Sequence, residues 1–384
     1  MDFLEPEEHR QLRAAVAAIA GRFGGEYFAR RAERREPTDE LWRALGEHGY
    51  LGVNIPAEHG GGGAGLTELA LVCEETAAQG CPLLLLLVSC AVSGELIARY
   101  GTDRQRKEWL PRLASGECKV VFAITEPDAG SNTHRLTTTA TRIGAQYSLR
   151  GTKHYITGVD EAEAVLVVAR TGVDERTGDA RLSLFLVRPD APGLVARRLP
   201  VAAALPERQF TLHFDDVRVG ADQLVGVEGD GFAQVFHGLN PERITGAAVC
   251  VGVGRYALAR AAEYARTRSV WGMPIGAHQG LSHPLAKARV EVELAALMTA
   301  KAAWAHDNGL PAGEAANMAK YAAAEAALAA VDAAIQTHGG NGLSVDYGLV
   351  PLWSIARLLR IAPVSRELIL DHVAKHSLGL PRSY

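Results

Sequence analysis

The chain has 384 residues, of which 48% are hydrophobic and 22% charged, and its formal net charge is −4 with a sequence pI of about 6.4. This composition is typical of a globular protein with two or three packed units, and the acidic balance gives no general reason to bind nucleic acid or an anionic membrane. Five cysteines without C-x-x-C spacing favour a reduced, cytoplasmic protein over a disulfide framework.

Residues 1–118 are predicted to form an N-terminal all-α domain. The start, MDFLEPEEHR, is acidic and lacks the character of a targeting peptide. Leu12, Val16, Ile19 and Phe23 recur at the spacing of one helix face. Three more helices are indicated by TDELWRALGEHG, LTELALVCEETAA and TDRQRKEWLPRLASGE. The most apolar run, LLLLLV at 83–88, is too short to span a bilayer and is interpreted as a buried helical segment.

Residues 119–230 are predicted to form a middle β domain. Short runs rich in β-branched and aromatic residues recur there, separated by turn segments such as DERTGD and RPDAPG. The runs that predict strands are KVVFAIT, AEAVLVVAR, RLSLFLVRP and RQFTLHFDDVRV.

Residues 231–384 return to a helical pattern, and the helices there are longer, which predicts a C-terminal helical bundle. Val290, Leu294 and Leu297 share one helix face, and a second face carries Leu328, Val331 and Ile335. Alanine fills much of the remaining helix surface, so the helices can pack closely. Helices, then strands, then helices is an α+β organisation and not an alternating α/β one.

The segment LNPERITG, residues 239–246, allows two interpretations. In one, Asn240 caps a helix, Pro241 takes its first position and Glu242 suits the helix dipole. In the other, Glu242 is the base of an enzyme. The segment alone leaves both open.

No metal site is predicted. His278 and His283 lie near each other in the sequence but lack partners at ligand spacing, so a structural role is expected for them. The glycines of GGGGAG at 60–65 formally match a dinucleotide-binding pattern, but no βαβ unit surrounds them.

Two segments suggest a ligand site at strand ends. VFAITEPDAGSNT, residues 121–133, and GTKHYITG, residues 151–158, each place hydroxyl, aromatic and backbone groups where a strand gives way to a turn. Either could be an ordinary β turn. Together they resemble the flavin-binding strands of the acyl-CoA dehydrogenase family. The resemblance continues through RTRSVWGMPIGAHQ and QTHGGNG to the C-terminal SLGLPRSY, and so covers essentially the whole chain.

The resemblance implies an α+β fold with an N-terminal helical domain, a barrel-like middle β domain and a C-terminal bundle, assembled as a tetramer that binds FAD. It implies that Tyr155 covers the flavin ring, that Thr157 lies near its N5 atom, and that Arg268 of a neighbouring subunit neutralises the pyrophosphate. The full set of implied FAD contacts is Phe122, Ile124, Thr125, Gly130, Ser131, Tyr155, Ile156, Thr157, Arg268, Val270, Trp271, Gln279, Gln336, Thr337, His338, Gly339 and Gly340. Tyr155, Asn132 and Val270 depart from the family's usual tryptophan, aspartate and hydroxyl residue.

The resemblance also locates the catalytic base. Many members carry a glutamate in a C-terminal segment that corresponds here to RIAPVS, where Ala362 stands at the glutamate's position. A minority, of the isovaleryl- and long-chain type, keeps the base in an E-R pair at the start of the bundle, which matches Glu242 and Arg243. Glu242 is therefore the predicted base, and the N–H of Ala362 is predicted to polarise the thioester carbonyl. Ser131, Asn240 and Arg243 are the predicted substrate contacts.

The expected function is FAD-dependent dehydrogenation of an acyl-CoA to the 2,3-enoyl thioester in fatty acid metabolism, with an electron-transfer flavoprotein as electron acceptor. Alternatives are an acyl-carrier-protein substrate, oxygen as acceptor, a catalytically silent flavoprotein, or a DNA-binding relative. A DNA-binding role should show a basic face, and the charge of −4 does not favour it.

Overall fold

The N-terminal region is helical in the computed structural model, which describes residues 4–381. The end of the predicted C-terminal segment SLGLPRSY, residues 382–384, lies outside this range. Six α-helices and one π-helix precede the first strand: α1 (Glu7–Gly21), α2 (Gly24–Arg34), α3 (Asp39–Glu47), α4 (Leu66–Ala78), the π-helix (Leu86–Gly94), α5 (Glu95–Tyr100) and α6 (Asp103–Ala114). Each of the three helices predicted from TDELWRALGEHG, LTELALVCEETAA and TDRQRKEWLPRLASGE is confirmed.

Local chemistry explains these helix ends. Thr102 and Gln105 form a reciprocal capping box before α6, in which the Gln105 N–H donates to Thr102 Oγ1 over 3.2 Å and the Thr102 N–H donates to Gln105 Oε1 over 2.9 Å. Val16 and Ile19 are buried as predicted. The prediction that Phe23 continues their helix is wrong, because α1 ends at Gly21 and Phe23 lies between α1 and α2.

The apolar run 83–88 leads into the π-helix, and its burial confirms the predicted internal helical segment. The π-helix packs against the first strand and against the long helix α7 described below. A π-helix of nine residues is uncommon and is usually associated with a functional region. Nothing in the residue pattern predicts this geometry.

The middle region forms one mixed sheet of eight strands: β1 (Val120–Ala123), β2 (Thr139–Ile143), β3 (Gln146–Thr157), β4 (Ala164–Val173), β5 (Ala180–Val187), β6 (Leu194–Leu199), β7 (Gln209–Gly220) and β8 (Leu224–Val225). Their order is β6-β7-β3-β2-β4-β5-β8, with β1 parallel to β4. Within the described residues the ladder ends at β6 and β8, so hydrogen bonding does not close the expected barrel.

The C-terminal region, described up to residue 381, contains five α-helices, short 3-10 turns and a short hairpin. The α-helices and the hairpin are α7 (Gly231–Thr267), the hairpin strands β9 (Ser269–Val270) and β10 (Met273–Pro274), α8 (Gln279–Asp307), α9 (Gly313–His338), α10 (Leu349–Ile361) and α11 (Arg366–His376). The 37-residue helix α7 is central, since α4, α8, α9 and the π-helix all pack on it. Buried alanines on α9 allow the close approach of α7 and α8. The predicted α+β fold is confirmed.

Three further features are an exposed apolar face on α8, the state of the cysteines and the character of the helices with respect to a bilayer. Val290, Leu294 and Leu297 do share a face of α8, but their side chains are 59%, 61% and 58% exposed. All five cysteines are free and buried. No helix within residues 4–381 is both long and apolar enough to cross a bilayer.

Candidate active site

Glu242 lies well inside α7, and this overturns the helix-start interpretation. The helix begins at Gly231, so Asn240 does not cap it and Pro241 does not occupy its first position. Proline lacks an N–H and cannot donate to the preceding turn, which normally interrupts a helix. Tertiary packing carries α7 through this point, because Gly238 lies against Val92 and Leu96 of the adjoining helices. The helix dipole is felt mainly in the first turn, so it contributes little at Glu242.

The carboxylate of Glu242 is partly buried and accepts no hydrogen bond from any residue in the described range. Burial raises its pKa to about 7, while the positive charges of Arg243 and Lys320 act in the opposite direction. A carboxyl group with a pKa near neutrality and an unengaged oxygen is suited to accept a proton from a bound molecule.

Arg243 and Asn240 form a pair beside Glu242. Arg243 Nη1 donates to Asn240 Oδ1 over 2.7 Å, which gives Asn240 an orienting task in place of the predicted cap. The Nε atom of Arg243 is buried and has no partner among the described residues. Burial lowers the pKa of this guanidinium, and Glu242 opposes that shift. Asn240 also lies about 4 Å from where a side chain on Gly313 would begin, next to the start of α9.

Ala362 lies directly after α10, at the turn Ala362–Ser365 that joins α10 to α11. Its N–H already donates to the carbonyl of Leu358 over 2.9 Å, so it is not free as the prediction required. The same turn is held from α9, because Lys320 Nζ donates to the carbonyl of Val364 over 2.5 Å. Sequence reasoning missed Lys320, and the only signal was one lysine in an alanine-rich helix.

The segment after β1 contains the first group of predicted flavin contacts. Phe122 is buried within β1, Ile124 and Thr125 follow it and are partly exposed, and Gly130 and Ser131 are exposed in the turn beyond. The end of β1 is joined to β3 by the His154 N–H, which donates to the Thr125 carbonyl over 2.8 Å.

A buried ion pair reinforces this joint. Lys153 on β3 is fully buried, and its Nζ donates to Glu126 Oε1 and to the Ile124 carbonyl, each over 2.9 Å. Glu126 also accepts hydrogen bonds from the N–H groups of Thr137 and Thr138. These donors hold the pKa of Glu126 down to about 2 despite its burial. Sequence reasoning did not assign a role to either member of the pair.

The end of β3 contains the second group of predicted flavin contacts. Tyr155 is 59% exposed and has a φ of 57°, a backbone conformation that a bulky residue adopts only under constraint and that is common at ligand sites. Ile156 is buried, so the predicted FAD contact of this residue would be made by its backbone. Thr157 Oγ1 accepts a hydrogen bond of 3.0 Å from Gln209 Nε2 on β7, a partner that the sequence did not reveal.

The β9–β10 hairpin contains a third group and projects from the bundle. Trp271 is 88% exposed with a φ of 52°, and Arg268 and Gln279 are exposed beside it, while Val270 is partly buried. Arg268 forms no ion pair with any described carboxylate, so its charge is available to an anion. His278 packs edge-on against Trp271 at 6.0 Å, as a structural role predicts, and the described residues contain no metal-binding cluster.

The fourth group of predicted flavin contacts, residues 336–340, covers the end of α9 and the two glycines that follow it. Gln336, Gly339 and Gly340 are exposed, with open space around both glycines. Thr337 and His338 are buried, and their side chains bond to the carbonyls of Ala333 and Ala334. Their backbone groups, and not these engaged side chains, are therefore the groups that the predicted FAD contact would use.

The structure thus brings the predicted residues together in separate sets. Glu242, Arg243 and Asn240 lie together on α7, and Lys320 links them to the turn at Ala362. The ends of β1 and β3 form another set. The hairpin lies at the far end of α7, near the end of α9, where Tyr264 packs on His338 at 4.4 Å. Two surface clefts of about 460 and 170 Å³ contain none of the predicted residues.

Comparison with known proteins matches this arrangement. Models of the acyl-CoA dehydrogenase N-terminal, middle and C-terminal domains match residues 6–117, 121–217 and 229–378. Acyl-CoA dehydrogenase FadE12 of Mycobacterium tuberculosis is 56% identical over 384 residues, which is 100% of this chain and 99% of that protein.

Solved structures agree. Butyryl-CoA dehydrogenase from Megasphaera elsdenii superposes with a TM-score of 0.92 at 26% identity, over 99% of this chain and 100% of that one. The FAD complex of PigA gives the same TM-score, identity and coverage. A glutaryl-CoA dehydrogenase bound to glutaryl-CoA superposes with a TM-score of 0.92 at 30% identity, over 100% of this chain and 98% of that one.

Proposed function

The chain belongs to the acyl-CoA dehydrogenase family, a group of FAD-dependent oxidoreductases that act on acyl-CoA, and we propose that Glu242 is the base that removes the substrate's α-proton. One observation carries this proposal: the Glu242 carboxyl combines a pKa of about 7 with the absence of a hydrogen-bond partner among the described residues. No carboxylate stands at position 362, so the proton must leave through another residue.

Each residue of the site has a defined part in the proposed reaction. Glu242 takes the α-proton. Arg243, oriented by Asn240, stabilises the ionised carboxylate of Glu242 before the proton is transferred. The Ala362 N–H would share its proton between the Leu358 carbonyl and the thioester carbonyl, a three-centre arrangement common at helix ends. FAD, when bound, supplies the acceptor for the β-hydride. Phe122, Tyr155 and Thr157 would hold its ring system, and Ser131 would approach the phosphates.

The flavin site is proposed to be shared between subunits of a homotetramer. Tyr264, next to the hairpin, lies 22 residues after Glu242 on the same helix, a separation of about 33 Å at 1.5 Å per residue. Arg268, Trp271 and Gln279 therefore suit the flavin of a neighbouring chain better than their own. The guanidinium of Arg268, which forms no ion pair with a described carboxylate, is suited to a pyrophosphate.

We further propose that electrons pass to an electron-transfer flavoprotein in a fatty acid pathway of the cytoplasm. A solved structure described under the electron transferring flavoprotein of Acidaminococcus fermentans contains a chain that superposes with a TM-score of 0.92 at 28% identity, and this likeness motivates the choice of partner. Five buried, unpaired thiols suit a reducing compartment.

The decisive experiment is an anaerobic titration of the FAD-loaded protein with butyryl-, isovaleryl-, octanoyl- and palmitoyl-CoA, in which flavin bleaching is followed. We expect wild type to bleach with at least one of them and Glu242→Gln to bleach slower by roughly 10²–10⁴-fold, the contribution typical of a general base. Bleaching at the wild-type rate in Glu242→Gln would disprove the assignment of the base.

Glu207→Gln is a matched control. Glu207 is also buried with a pKa raised to about 7 by burial, but its Oε1 accepts a hydrogen bond from the Leu84 N–H. We expect this variant to bleach like wild type. Absence of bleaching in all three proteins, together with reduction by an acyl-carrier-protein thioester, would favour that carrier. Peroxide formation in air would favour oxygen as the acceptor.

A further inference from the structure

Lys320 differs from the other buried lysines of the chain. Lys119 donates to Asp39 and Glu161 over 3.0 and 2.7 Å, and Lys153 donates to Glu126 over 2.9 Å. Lys320 is 2% exposed, yet it forms no ion pair with any carboxylate between residues 4 and 381. Burial of an ammonium group without a paired carboxylate is costly, so such a lysine is a candidate for a functional role.

The position of Lys320 connects the two halves of the reaction site. It projects from α9, which packs along α7, and its Nζ donates to the Val364 carbonyl in the turn Ala362–Ser365. Its charge also acts on Glu242. One side chain therefore contacts the turn that lacks the family's usual glutamate and influences the glutamate predicted to replace it.

Two positively charged side chains act on the Glu242 carboxyl group. Arg243 faces it from the same helix, and Lys320 is the charge that faces it from α9. The other titratable groups that act on Lys320 are Cys250 on α7 and Glu325 on α9. Glu325 itself is engaged by Arg360, whose Nε donates to it over 2.6 Å. His372 on α11 faces Arg243, and its influence on Glu242 is indirect.

We propose that Lys320 is a positioning residue for proton abstraction, which anchors the Ala362–Ser365 turn through the Val364 carbonyl and favours the ionised form of Glu242. The inference rests on the proposed function of Glu242. It explains the missing ion pair, because a carboxylate bound to Lys320 would cancel the charge that Glu242 experiences. The neutral carbonyl of Val364 satisfies one ammonium proton without cancelling the charge. Burial lowers the pKa of Lys320 to about 8, so the ammonium form still predominates near pH 7, where Glu242 titrates.

The test measures the pH dependence of flavin reduction in the FAD-loaded enzyme, with the acyl-CoA that bleaches wild type fastest. A base must be ionised to act, so the rate falls below its pKa. Removal of a nearby positive charge raises the pKa of a carboxyl group. In Lys320→Met we expect the midpoint of the acid limb to move upward by about 1 pH unit, and in Lys320→Arg to stay near the wild-type value.

A structural role alone would not produce this pattern. Lys119→Met removes another buried lysine, one whose charge does not act on Glu242, and should lower stability without moving the midpoint. Hydrogen exchange of a peptide covering 362–369 should be faster in Lys320→Met than in wild type. If that variant does not fold, Lys320→Gln removes the charge with a smaller change in polarity and should show the same shift.

The outcomes separate the two proposals. Loss of bleaching in Glu242→Gln with an unmoved midpoint in both Lys320→Met and Lys320→Gln would overturn the role of Lys320 and leave Glu242 as base. Unchanged exchange of 362–369 in Lys320→Met would overturn the anchoring part. Normal bleaching in Glu242→Gln would overturn the proposed base itself, whatever the lysine variants show.

Discussion

Burial of Glu242 raises the pKa of its carboxyl group, which makes it a better base near neutral pH. The same burial lowers the stability of the folded protein when that group is ionised. Its pKa is about 7 in the folded chain and near 4.5 when unfolded, so the folded protein retains a proton at this site between those values. Stability therefore falls as the pH rises from about 4.5 to 7, and the loss persists above pH 7. The charges of Arg243 and Lys320 limit this loss but do not abolish it.

This linkage predicts that Glu242→Gln is more stable than wild type at pH 8, by at most about 3 kcal/mol, because the variant buries no charge. At pH 4 the wild-type carboxyl is protonated, and the difference should nearly vanish. Urea denaturation at both pH values measures it. An equal difference at pH 4 and pH 8 would indicate a packing effect and contradict the electrostatic explanation.

The role of a residue could be predicted where the necessary information lies in the sequence around it. Glu242 was identified because its E-R pair forms a local motif, and the structure gives it a suitable environment. The interpretation of Asn240 as a helix cap, one of two that the segment allowed, is wrong because tertiary packing carries α7 past Pro241, which no local rule anticipates. Lys320 was missed because its task depends on a carbonyl 44 residues away in sequence.

At the scale of elements, the ends of β1 and β3 act as one unit. The His154 N–H and the buried Lys153 bind the segment Ile124–Glu126 through three hydrogen bonds. Thr125 and Tyr155, both predicted to contact FAD, lie on opposite sides of this joint. Its rigidity should therefore matter for the cofactor as well as for the fold.

We expect Lys153→Met to lower the free energy of unfolding by about 3–5 kcal/mol, the usual result of removing one partner of a buried pair. It should also weaken FAD binding, because the two strand ends are released from each other. The double variant Glu126→Gln/Lys153→Met should be less destabilised than the sum of the two single changes.

Denaturation of the apoprotein and its titration with FAD provide both readouts. Lys107→Met, at an exposed position on α6, is the control and should remain within about 0.5 kcal/mol of wild type. Wild-type FAD affinity in Lys153→Met would show that the joint serves the fold alone.

Most elements were predictable where burial and period agree. The helices α3, α4 and α6 have clear start and stop signals, and the apolar runs of β1, β4, β5 and β7 are confirmed as strands. The π-helix was not predictable, because its wider turn does not alter which residues are apolar. The continuous length of α7 was hidden by Pro241.

For the molecule as a whole, the exposed stripe on α8 is where we expect the subunits of the proposed homotetramer to meet. Val290, Leu294 and Leu297 form an apolar face that no part of residues 4–381 covers. Apolar patches of this kind on soluble proteins commonly mark association sites.

If the proposed tetramer uses this face, we expect Leu294→Glu to shift the assembly toward smaller species, because a charge would be buried in the subunit contact. Mass photometry of the holoprotein measures this directly. Val195→Glu, at a half-exposed position on β6, is the matched control and should leave the assembly unchanged. If FAD is shared between subunits, Leu294→Glu should also release it more readily. An intact tetramer in Leu294→Glu would place the contact elsewhere.

The burial of all five thiols has a practical consequence. Burial raises the pKa of each of them, with Cys81, Cys90, Cys118 and Cys250 at about 12, so the thiolate that reacts with a labelling reagent is scarce in the folded chain. A maleimide dye should thus leave the native protein almost unmodified and label it as the chain opens. The wild-type cysteines form a built-in reporter of unfolding, and one cysteine added on the surface would be a clean attachment point for a fluorophore.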